Sequence, residues 1–213
     1  VAGTATTDRA RKQAAAPAFA DGIAHIWLDG LVHADLADST KQIGAPQVWA
    51  EGNTGQGVDV AVLDTGIDAG HPDLVDRVES RQSFVPGENT DDHFGHGTHV
   101  ASIIAGTGAA SDGREKGVAP GARLDIAKVL DDTGSGQTSW ILAGMEWAAV
   151  DQHAKVINMS LGEAQASDGT DPLSQAVDKL SAETGALFVV AAGNAGAPGT
   201  IGAPGAASTA LTV

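Results

Sequence analysis

The sequence predicts an α/β protein, three layers deep, with helices on both faces of a mainly parallel sheet. From residue 58 onward, short apolar runs recur that suit strands buried on both faces. Helix-length segments separate those runs. Gly numbers 28 among 213 residues while aromatic residues make up only 4% and Tyr is absent, which suits a tightly turned chain of small side chains.

The strands read at 58–63 (VDVAVL), 124–129 (LDIAKV), 156–159 (VINM) and 186–191 (ALFVVA). Helices fit between them at 97–106, 138–150 and 172–183, the last with Asp171 as cap and Pro172 in the first turn. The order is therefore βαβαβαβ, and no repeat of solenoid or propeller length interrupts it. Residues 1–20 are Ala-rich and polar and read as a linker or frayed end, and 23–32 read as a hairpin arm or edge strand around Asp29 and Gly30. The chain opens on Val1 and stops within an apparent strand at Leu211, Thr212 and Val213, so the expectation is a C-terminally truncated piece of a longer precursor.

A net charge of −15, with only 12 Lys and Arg spread along the chain, argues against a nucleic-acid partner. The absence of Cys removes disulfides, a thiolate nucleophile and Cys-type zinc sites. No run of 18 apolar residues occurs, so no membrane span is expected, and the first twenty residues lack the apolar core of a signal peptide.

In an open parallel sheet, functional groups gather at the carboxyl ends of strands, and Asp64 stands at the end of the first one. By itself such an Asp is a catalyst or a turn residue. Its candidate partner is His96, flanked by Gly95 and Gly97 just before an apolar helix, where glycines let backbone and substrate come close. A buried carboxylate on one ring nitrogen would fix the tautomer and leave the other nitrogen to take a proton. Asn194 follows the strand at 186–191 and is either a turn residue or a preorganised donor for developing negative charge. His96 and His99 lack the Glu of a zinc helix motif and have no third ligand, so no metal is assigned and His99 is read as structural. His71 is read as ordering its loop.

The segments VAVLDTGID (60–68), HGTHVAS (96–102), INMSLG (157–162) and VVAAGN (189–194) resemble, in order and spacing, the subtilisin family of serine peptidases, over about residues 42–213. The resemblance implies a subtilisin-like sheet and an endopeptidase in which Asp64 orients the histidine, His96 is the general base and Asn194 donates to the oxyanion. It implies that Gly134, Ser135 and Gly136, with Ser160, Leu161 and Gly162, sandwich the substrate backbone, and that Ala191, Ala192 and Gly193 wall the primary pocket. Tight turns are the plainer account of those three stretches. Glu163, Asp131 and Asp132 would favour basic substrate side chains.

No cofactor is implied for the chemistry. Asp73 resembles a family calcium ligand, but the family's calcium loop is replaced by GTGAASDGREK (106–116), so structural calcium is unsupported. The nucleophilic serine is expected beyond residue 213, which would leave the chain inactive alone. Residues 1–38 resemble the end of an inhibitory pro-segment and 39–213 the start of the mature peptidase, with self-cleavage near Asp38 and Ser39. The implied partners are polypeptide substrates and the chain's own pro-segment, and the implied location is extracellular. A noncatalytic binding module on the same scaffold is the alternative. A nucleotide-binding domain is disfavoured because no Gly-rich turn follows the first strand.

Overall fold

The computed structural model describes residues 36–213, so the sequence features expected at 1–35, the 23–32 hairpin arm among them, lie outside the described residues. Two short helices come first, α1 (Leu36–Gln42) and α2 (Ala45–Ala50). Then follow β1 (Asp59–Asp64), β2 (Val78–Ser83), α3 (His96–Ala105), β3 (Arg123–Lys128), α4 (Thr138–Glu146), β4 (Val156–Met159), α5 (Pro172–Thr184), β5 (Leu187–Val190) and β6 (Leu211–Thr212). The boundary expected between residues 38 and 39 falls inside α1.

The six strands are all parallel, in the order β2-β3-β1-β4-β5-β6. β1 is central, pairing Asp64 with Lys128 on β3 and Val62 with Asn158 on β4. Alternation along the strands splits the core in two. Ala61, Leu63, Ile157, Met159, Phe188 and Val190 face α4 and α5, while Val60, Val62, Leu124 and Ile126 face α3 with Ala101 and Ala105. Helices on both faces give the three-layer α/β/α arrangement expected from the sequence.

The four expected strands form within a residue or two of their expected bounds, and the three expected helices form as well. Asp171 caps α5 by accepting the Ser174 N–H at 2.8 Å, with Pro172 in the first turn. Two features differ. The segment expected to be one helix over 138–150 changes at Trp147 into a π-helical turn (Trp147–Asp151), in which the Gln152 N–H reaches back to the Trp147 carbonyl. Trp147, Ala148 and Ala149 are buried there, and Trp147 packs edge-on against Phe84 with ring centroids 6.0 Å apart. β2 was not expected because VESRQS carries almost no apolar side chain; it is the outer strand of the sheet, held mainly by backbone pairing to β3.

Candidate active site

β1 is buried from Val60 onward and ends on Asp64, whose side chain has 0% exposure. The chain then turns through Thr65 and Gly66 and lies directly against the start of α3. Gly66 has φ +111°, and a Cβ there would meet the Thr90 carbonyl oxygen at 2.6 Å. A Cβ on Gly97 would collide with the Gly66 carbonyl oxygen. Glycine at 97 lets the helix start lie against the Gly66 backbone, and glycine at 66 lets the turn lie against Thr90 and Asp91.

That approach delivers His96, the first residue of α3, to Asp64. His96 Nδ1 lies 2.7 Å from Asp64 Oδ1 and 2.9 Å from Oδ2. An ionised carboxylate only accepts hydrogen bonds, so opposite one a neutral imidazole carries its proton on Nδ1 and keeps a lone pair on Nε2. The Thr65 N–H also donates to Asp64 Oδ1, at 2.8 Å. Burial pushes the Asp64 carboxyl above its ordinary pKa, and the hydrogen bonds from His96 and the Thr65 N–H oppose that rise.

Asp92 fixes the start of α3. Its carboxylate accepts the Gly95 N–H at 2.7 Å, the Thr98 N–H at 2.8 Å and the Thr98 hydroxyl at 2.6 Å, satisfying a helix N–H that the helix cannot pair itself. Thr65 closes the set, since its hydroxyl accepts the Gly97 N–H. Asp92, Thr65 and Lys128 carry no motif that marks them in the sequence. A Thr two residues after His96 and an acid four before it were the only cues.

His96, 40% exposed at its side chain, borders a cleft of about 500 Å³. All six residues expected to sandwich a substrate backbone line this cleft: Gly134, Ser135 and Gly136 after β3, and Ser160, Leu161 and Gly162 after β4. Glu163 lines it as well, and so does Phe94, which the sequence reading did not single out. The other two acids proposed to attract basic side chains are engaged elsewhere. Asp131 Oδ1 accepts the Thr133 hydroxyl and the N–H groups of Thr133 and Ser135, and Asp132 pairs with Lys128 at 2.8 Å.

Ala191, Ala192, Gly193 and Asn194 are not among the cleft-lining residues. They leave the end of β5, where the Ala192 N–H donates to the Val213 carbonyl, and Gly193 and Asn194 are exposed. His71 Nδ1 accepts the Asp73 N–H at 3.2 Å inside its own loop, and the His99 side chain is exposed. Asp73 Oδ1 accepts the Ala110 N–H at 2.7 Å. Among the described residues no three His, Cys, Asp or Glu side chains converge on a metal position.

Comparison with known proteins matches residues 55–213 to the subtilase family. The chain belongs to the subtilase family. Subtilisin E of Bacillus subtilis (strain 168) is 44% identical over 191 residues, covering 85% of this chain and 48% of its own length. Subtilisin of Bacillus pumilus is 46% identical over 169 residues, 77% of this chain and 58% of its own. The major intracellular serine protease of Bacillus subtilis (strain 168) is 42% identical over 168 residues, 76% of this chain and 50% of its own. The chain spans about half the length of the curated relatives it matches. Within the subtilase frame, the Asp64 and His96 motifs of the sequence are the two whose side chains meet at the cleft.

Proposed function

We propose that this chain is the acid-and-base portion of a subtilisin-like serine endopeptidase, with the nucleophilic serine supplied by sequence beyond these 213 residues. The observation that carries the reading is the Asp64–His96 contact at the edge of a cleft lined by two glycine-containing backbone stretches. Asp64 holds the Nδ1–H tautomer and stabilises the imidazolium when it forms. His96 Nε2 takes the serine proton as Oγ attacks the scissile carbonyl, then gives it to the departing amine; water and the same imidazole reverse the sequence to free the acid. An extended peptide lies between residues 134–136 and 160–162, pairing with their backbone groups. The Asn194 amide, outside the cleft lining formed by the described residues and with no partner among them, is the donor that the family resemblance assigns to the oxyanion.

Among the described residues no serine hydroxyl bonds to His96, which supports a nucleophile from elsewhere and an inactive isolated chain. The pro-segment is a partner of the same cleft. The start of the mature enzyme is placed near Asp38 and Ser39, in the segment that forms α1. Secretion goes with this reading, although two relatives carry intracellular names; no described helix is long and apolar enough to cross a membrane. The test is labelling with a fluorophosphonate probe. The parent protein is expected to label on one serine and to cleave peptides, and the 213-residue chain is expected to stay unlabelled. A folded parent that neither labels nor cleaves would leave a noncatalytic binding module instead.

A further inference from the structure

Lys128 ends β3 directly opposite Asp64 in the parallel register, and its side chain has 0% exposure. Its ammonium donates to the Thr65 carbonyl at 2.6 Å and to Asp132 Oδ1 at 2.8 Å, and lies 3.2 Å from Glu88 Oε2. The three partners belong to three separate loops. Thr65 follows the Asp64 strand, Asp132 opens the turn that carries Gly134, Ser135 and Gly136, and Glu88 precedes the segment that leads through Asp92 to His96.

Burying an ammonium is costly even when it is paired, and well-packed apolar side chains commonly serve stability as well or better. Stability is therefore a weak reason for a lysine here. Geometry is a stronger one. Thr65 is gripped at its carbonyl by Lys128, at its hydroxyl by Asp92 and Gly97, and its own N–H holds Asp64. Releasing the carbonyl frees the backbone that presents the carboxylate.

We propose that Lys128 is a positioning residue, whose ammonium locks the Thr65 backbone to the Asp132 turn and so holds the Asp64 carboxylate on His96 Nδ1. The proposal rests on the Asp–His reading above. Asp64, Thr65, Glu88, Asp92, His93 and Asp132 are the polar and charged groups around the network.

The test reads the His96 tautomer by ring ¹⁵N shifts in the 213-residue chain at a pH where the imidazole is neutral, with melting curves alongside. Wild type is expected as the Nδ1–H tautomer, and Asp64→Asn is expected to move it to Nε2–H. Lys128→Met and Asp132→Asn are each expected to shift the population toward Nε2–H while melting close to wild type, Lys128→Met the further. Asp132 is partly exposed, so that variant decides the matter if Lys128→Met does not fold. An unchanged tautomer in the folded variants, with Asp64→Asn behaving as expected, overturns the role of Lys128 alone. If Asp64→Asn also changes nothing, the Asp–His reading fails and takes this proposal with it.

Discussion

The Thr65 hydroxyl donates to Asp92 Oδ1 at 2.8 Å, and that one bond fastens the turn after β1 to the loop that launches α3. The same oxygen accepts the Gly97 N–H at 2.9 Å, so it uses both of its capacities in a place where little water reaches. Thr65→Val keeps the shape and removes both bonds, leaving the Gly97 N–H unpaired. The expected loss is about 2–3 kcal/mol in urea unfolding, with Thr65→Ser near wild type. A valine variant as stable as wild type would show that the hydroxyl does not join the two segments.

Asp92 gives a pH signature. Burial works against its ionisation, but the Thr98 hydroxyl and N–H, the Gly95 N–H and the Thr65 hydroxyl prevail and bring its pKa to about 2. A carboxyl with a depressed folded pKa binds fewer protons folded than unfolded. Its contribution is therefore complete above the unfolded value, near pH 4, and is lost as the pH falls toward 2. Its size is on the order of 1–2 kcal/mol after solvent screening. Asp92→Asn should flatten the urea midpoint between pH 4 and 2, and an unaltered slope would count against the assignment.

Asp64 works in the opposite sense. Its folded pKa is raised by burial, so the native state binds more protons than the unfolded one, and stability declines as pH rises from about 4 through the folded value. Asp64→Asn removes that penalty and is expected to be at least as stable as wild type at pH 7. In the parent enzyme the same change should lower kcat by about 10⁴-fold, because the imidazole takes the wrong tautomer. Full activity in the variant would refute the orienting role.

Gly134 lies at φ +80° in the cleft wall, and a Cβ there would meet the Phe94 ring at 2.9 Å. Gly134→Ala is expected to cost about 1 kcal/mol for the left-handed backbone and to push Phe94 aside, weakening peptide binding more than folding. A raised KM in the parent, with a small drop in Tm, is the expected pair of results.

Asp73 already holds protein donors. Its carboxylate takes the Ala110 N–H and its carbonyl the Thr107 N–H, while Glu115 from the same loop accepts the N–H groups of Leu36 and Ala37 at the start of α1. Carboxylates thus tie this loop to its surroundings through N–H groups. Melting of the chain should be the same in calcium and in chelator, and Asp73→Ala should cost about 1–3 kcal/mol. A calcium-dependent rise in Tm would show that the loop binds the ion after all.

Strands with apolar side chains on both faces, a helix with an Asp-Pro start, and an acid and a histidine at strand and helix ends are local patterns, and the sequence by itself determined them. β1, β3, β4 and β5, the Asp171 cap and the approach of Asp64 to His96 were legible for that reason. Tertiary structure alone decided the rest. β2 exists because β3 offers it backbone partners, and α4 gives way to a π turn at the buried Trp147. Lys128 reads as an ordinary strand residue until folding brings Thr65, Glu88 and Asp132 around its ammonium from up to 63 residues away. Periodicity encodes which face a side chain takes, whereas a buried polar group takes its meaning from partners that only the folded chain assembles.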